Sequence, residues 1–137
     1  MLIFIWDKYF LNVRIYKGDG MPKDLISKEE AIRKITSGED IYIIDARPED
    51  IYTEDSDQIM GAIHLTEPVA HEVYMQLPKD REYLIYTTKG KEDESKRIAD
   101  FFRKQGFTAY AINGGYEEWR DSALPIEPIN ASGTPID

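Results

Sequence analysis

The chain of 137 residues contains no cysteine. That absence excludes disulfides, thiolate metal sites, iron–sulfur clusters and every reaction that runs through a cysteine thiolate. Histidine is scarce, at two residues, and the 17 Lys+Arg are outnumbered by 26 Asp+Glu, for a net charge of −9. An acidic balance of this size argues against a nucleic-acid surface and against a polybasic membrane anchor. Long apolar runs are missing too. The apolar start, Met1 to Trp6, breaks at Asp7-Lys8 with no basic residue before it, and is far below the roughly 20 residues of a membrane span. It reads as a β-strand, and a cytoplasmic location is the default expectation. Asn130-Ala131-Ser132 matches a glycosylation acceptor, and without a secretory leader it is read as chance. What is present, 42% hydrophobic and 12% aromatic residues, supports one folded domain; a chain of this length buries roughly 68% of its unfolded surface.

The pattern along the chain alternates strands with helices. Residues 1–17 predict a strand or hairpin turning at Asp7-Lys8, and Lys17 to Pro22 reads as a linker, giving an extension over 1–20. A domain over 21–128 follows, then a flexible tail over 129–137; the Pro, Ser and Gly content from Pro125 onward predicts an extended or frayed end. Ser27-Lys-Glu-Glu30 is a capping box that opens a helix with Ala31, Ile32 and Ile35 on one face, closed by Ser37-Gly38. The unbroken apolar runs Ile41–Ile44 and Tyr83–Tyr86 predict strands buried on both faces. Ala62–Leu65 and Phe107–Ile112 are further strands. Glu67-Pro68 opens a helix carrying Val69, Ala70 and Val73, and Ile98, Phe101 and Phe102 mark the inner face of another that runs to Gly106. Gly114-Gly115 precedes a short helix with Tyr116 and Trp119 as core anchors. The expected fold is α/β, a mostly parallel sheet with helices on both faces.

In such sheets, sites collect outside the carboxyl ends of the strands. Two polar stretches fall there: Asp45-Ala46-Arg47, and Thr87-Thr88-Lys89-Gly90-Lys91-Glu92-Asp93-Glu94. The second leads into a helix N-terminus, where free N–H groups favour an anion. Asp45 is expected to cap backbone amides or pair with Arg47. His64 and His71 lack a sure carboxylate partner and are assigned to packing rather than to a metal. Asp55-Ser-Asp57 lacks the spacing and glycine of a calcium loop and reads as a solvated acidic turn.

The order Ser27-Lys-Glu-Glu-Ala31, Ile44-Asp-Ala-Arg47, Gln58-Ile-Met-Gly-Ala-Ile63, Tyr86 plus loop, Gly106-Phe107, and Gly114-Gly-Tyr-Glu-Glu-Trp119 followed by Leu124-Pro125 resembles a rhodanese-homology domain over about residues 24 to 126. The resemblance implies a three-layer rhodanese-like fold and an active loop after Tyr83–Tyr86, where the family's catalytic cysteine carries sulfur as a persulfide within loop amides. That position is Thr87 here. A threonine hydroxyl is a weak nucleophile that needs a neighbouring base, and it forms no persulfide. The family's loop glycine falls at Gly90, and the place of its loop arginine at Glu92 or Glu94. If Ser95 opens the helix, the loop is longer than in simple sulfurtransferases.

Charge points the same way. Thiosulfate and persulfide donors are anions, yet residues 89–94 hold Lys89 and Lys91 against three carboxylates, and residues 39–57 hold eight carboxylates against Arg47 alone. The reading is a sulfurtransferase-superfamily domain without the catalytic cysteine, without a cofactor, that binds an unnamed protein partner or regulates one, with no nucleic acid and no membrane. Two alternatives stand beside it: an enzyme that uses the altered loop on a small ligand, and an assembly role, including a homo-oligomer formed through residues 1–17.

Overall fold

The computed structural model describes residues 25–55 and 57–129. The hairpin expected over residues 1–17, its linker and the tail from residue 130 lie outside the described residues. The apolar runs form the middle of the sheet. Ile41–Asp45 (β2) and Glu82–Tyr86 (β5) lie parallel, with Ile41 opposite Glu82 and Asp45 opposite Tyr86. Thr108–Ile112 (β6) joins the other edge of β5, Leu25–Ile26 (β1) flanks β6, and Ile63–His64 (β4) flanks β2. The order is β1-β6-β5-β2-β4, parallel throughout.

Alternation along β5 sends its side chains to two cores. Leu84 and Tyr86, with Ile43, pack beneath Lys28–Thr36 (α1) and Gly115–Asp121 (α5), where Ala31, Tyr116 and Trp119 point inward. Tyr83 and Ile85, with Ile44, pack beneath Glu67–Val73 (α3) and Glu92–Lys104 (α4), against Ile98, Phe102 and Phe107. Helices therefore cover both faces, as the alternation of elements predicts. Helix α1 starts where the cap places it: the Glu30 N–H donates to Ser27 Oγ at 3.0 Å, with Glu29 and Glu30 in the first turn and Arg33 and Lys34 in the last.

The local structure adds to these expectations at two points and corrects two others. Residues Glu49–Asp55, for which the pattern predicts no element, form a helix (α2) that is led by Pro48 and holds Tyr52 in the core. Asp57 is no part of a solvated turn: Asp57–Ile59 (β3) pairs antiparallel with Ile126–Pro128 (β7). The same pairing makes the chain past Pro125 extended, one of the two outcomes expected there, as a strand through Pro128. Finally, α4 opens at Glu92 rather than Ser95, which lies buried within it, so the preceding loop is short.

Candidate functional site

The site is built at the carboxyl ends of β2 and β5. Asp45 and Arg47 are completely buried there and bind each other at two points, Nε to Oδ1 at 3.0 Å and Nη2 to Oδ2 at 2.6 Å. Arg47 then reaches Asp55 Oδ2 at 2.8 Å and the Asp57 carbonyl at 2.7 Å, and its guanidinium lies 4.0 Å from the centre of the Tyr116 ring. Three members of the acidic stretch thus surround one arginine. Tyr86 donates to Asp45 Oδ2 at 2.5 Å and accepts from the Ile59 N–H at 3.1 Å, while Tyr116 donates to Asp57 Oδ1. Burial opposes the charge on Arg47, but the hydrogen bonds and charge of Asp45, then Tyr86 and Asp55, outweigh it and raise its pKa. Burial, reinforced by Asp45, holds the Tyr86 hydroxyl protonated well above the ordinary tyrosine range, and burial with Asp57 does the same for Tyr116. The Asp45–Arg47 pair is therefore a fixed strut that aligns two loops, since its charges are paired and it has no exposed surface.

Thr87 follows β5 directly and is completely buried. Its carbonyl accepts from the Tyr116 N–H at 2.8 Å, and its hydroxyl donates to Glu94 Oε1 at 3.3 Å. The loop closes by Lys91 N–H donating to the Thr88 carbonyl at 2.9 Å, with Gly90 at φ +89°. Thr88 Oγ1 is buried beside it with no hydrogen-bond partner. The motif glycine Gly115 has its reason here: a β-carbon at that position would lie 2.3 Å from the Lys89 nitrogen, so only glycine lets the start of α5 touch the loop.

The loop amides are occupied from within the chain. Glu92 accepts from the Gly90 N–H at 3.0 Å through Oε1 and from the Gly114 N–H at 3.1 Å through Oε2, and Glu117 accepts from the Lys89 N–H at 2.7 Å. Of the residues anticipated in this loop, Glu92 and Glu94 turn inward onto it, while Lys89, Gly90 and Lys91 are exposed and Asp93 pairs with Lys96 at 3.6 Å. Glu117 was not anticipated. Its only sequence signal is its place two residues after the glycine that touches the loop.

Glu94, which accepts from the Thr87 hydroxyl, also lines a cleft of about 340 Å³ together with Ala46, Pro48, Ile98, Glu49 and Glu67. Arg97 pairs with Glu67 at 3.0 Å. The two histidines are apart in role as well as place: His64 stacks on Tyr52 and meets the Arg47 carbonyl at 2.7 Å, and His71 stacks on Phe101. Among the described residues, no group of three or more His, Asp or Glu side chains is placed to hold a metal ion. None of the described helices is long and apolar enough to cross a membrane.

A family model described as "Rhodanese-like domain" matches residues 27–122. The thiosulfate sulfurtransferase GlpE of Coxiella burnetii is 33% identical over 82 residues, covering 59% of this chain and 73% of that protein. An HTH-type transcriptional regulator of Mycobacterium tuberculosis is 27% identical over 135 residues, 95% of this chain, which spans only 55% of the regulator's length. Among solved structures, the rhodanese-like domain of an Anabaena protein superposes with a TM-score of 0.64 at 22% identity, covering 85% of this chain and 87% of that one. A rhodanese-related protein of Thermoplasma volcanium gives 0.63 at 17% identity over 74% and 94% of the two chains.

Proposed function

Because the chain belongs to the rhodanese-like domain family, we propose that it is a member that does not transfer sulfur and that acts instead as a binding or regulatory module for a protein partner. One observation carries the reading: carboxylates of the chain itself, Glu92 and Glu117, accept from the amides of Lys89, Gly90 and Gly114. The chemistry implied by the resemblance needs a thiolate at the loop start and loop amides free for an anionic donor. Here the first is a buried threonine hydroxyl and the second are already bound to anions. Glu49 and Glu94, which line the cleft, oppose an approaching anion as well, Glu67 being already paired with Arg97, so the cleft is suited to a cationic group of a partner rather than to thiosulfate.

The regulator from Mycobacterium tuberculosis, of which this chain would span about half, supports a regulatory setting for such a domain. The test is a thiosulfate-to-cyanide sulfur-transfer assay on the purified chain, with GlpE as the positive control. The expected rate equals the protein-free background. Turnover that rises in proportion to protein concentration overturns the reading.

A further inference from the structure

The α1/α5 face of the sheet carries a second hollow. Between α1, the β3–β7 ribbon and α5 runs a groove of about 270 Å³, walled by Ile32, Ile35, Ile43, Ile59 and Trp119, with Met60 on its rim and 54% exposed. Thr36 is the one polar residue among the described residues that line it. Surface of this kind is driven to leave water, and the groove offers few hydrogen-bonding groups to hold it there.

We propose that the occupant is the chain's own N-terminal segment, with Leu2–Trp6 laid into the groove. Three observations support it. The first is composition: Leu2, Ile3, Phe4, Ile5 and Trp6 are five consecutive large apolar residues, the chemistry an apolar groove takes. The second is reach. The described chain begins at Leu25 and passes straight into α1, which forms one wall of the groove. The nine residues of α1 span about 14 Å at roughly 1.5 Å per residue. The eight residues from Lys17 to Asp24 extend up to about 26 Å, enough to return along the whole helix. The third is charge: Lys8, Arg14 and Lys17 against Asp7 make residues 1–17 net positive, in a chain of −9, so the segment is attracted to the acidic body that carries the groove. A segment tethered this way also has a high effective concentration at the groove, which favours it over a separate molecule.

Hydrogen–deuterium exchange on the full chain tests the assignment, with the amides of β5 as the folding control. In the full chain, residues 2–6 exchange at least about tenfold more slowly than an unstructured peptide does. Met60→Asp, a change at an exposed rim position, returns them to the peptide rate while β5 stays protected. Phe4→Asp, a change in the segment alone, does the same and guards against a rim variant that misfolds. Free exchange of residues 2–6 in the unaltered chain overturns the proposal, as does protection that survives both substitutions. Protection that falls on dilution together with a dimer fraction also overturns it, because the occupant is then a second copy of the chain.

Discussion

A hydroxyl held 3.3 Å from a carboxylate oxygen is a hydrogen-bond donor with one partner, and that is what the Thr87 side chain does at the end of β5. The same neighbour decides what a sulfur atom there would do. In Thr87→Cys the thiol faces the Glu94 carboxylate, and a like charge at that distance disfavours the thiolate. Its pKa is expected above the ordinary value of about 8.5, read from the pH dependence of alkylation. Adding Glu94→Gln is expected to lower it by about one unit. Sulfur transfer by Thr87→Cys should stay close to background, because Glu92 and Glu117 still hold the loop amides. Robust turnover in the single variant would show that they do not. Gly115 sets a second limit at this scale. Alanine there combines φ +70° with a β-carbon 2.3 Å from the Lys89 nitrogen, so Gly115→Ala is expected to cost about 2–4 kcal/mol in urea denaturation.

At the scale of elements, what the sequence discloses depends on how local the cause is. The caps and interior of α1 rest on Ser27 and on apolar spacing within nine residues, and both are visible in the string. Strands β2 and β5 announce themselves as unbroken apolar runs because both of their faces are covered. Helix α2 does not. Its apolar content is slight, and a partner outside it, Arg47, receives its last residue, Asp55. Strand β7 is equally hidden: a Pro-flanked segment becomes a strand only because β3, nearly 70 residues earlier, supplies the opposing edge. The site divides the same way. The loop and the Asp45–Arg47 pair are legible from motif and order, whereas the turn of Glu92 back onto Gly90 and Gly114, and the arrival of Glu117 from α5, need the two glycine-containing loops to be side by side in space.

For the whole molecule, the buried polar cluster contributes to the response to alkali. Burial, with Asp45 and Asp57, holds the Tyr86 and Tyr116 hydroxyls protonated above their ordinary range in the folded state. An unfolded tyrosine loses its proton near pH 10. Above that pH the unfolded chain binds fewer protons than the folded one, so stability present below pH 10 is lost as pH rises further. Melting temperatures should be flat toward pH 10 from below and decline above it. Tyr86→Phe is expected to be less stable at pH 7 by about 1–3 kcal/mol, through loss of the Asp45 and Ile59 hydrogen bonds, and so to melt lower. It should also show a shallower alkaline decline than the unaltered chain. Equal slopes above pH 10 would remove Tyr86 from the explanation.

The carboxylate of Glu92, bound between the amides of Gly90 and Gly114, has one more consequence. A diffusible anion fills such amides according to its concentration, so a loop that waits for one reports on its supply. An anion carried on a side chain of the same chain is present at a fixed effective concentration. For the binding module proposed above, the loop is therefore expected to keep one shape whether sulfur donors are abundant or scarce.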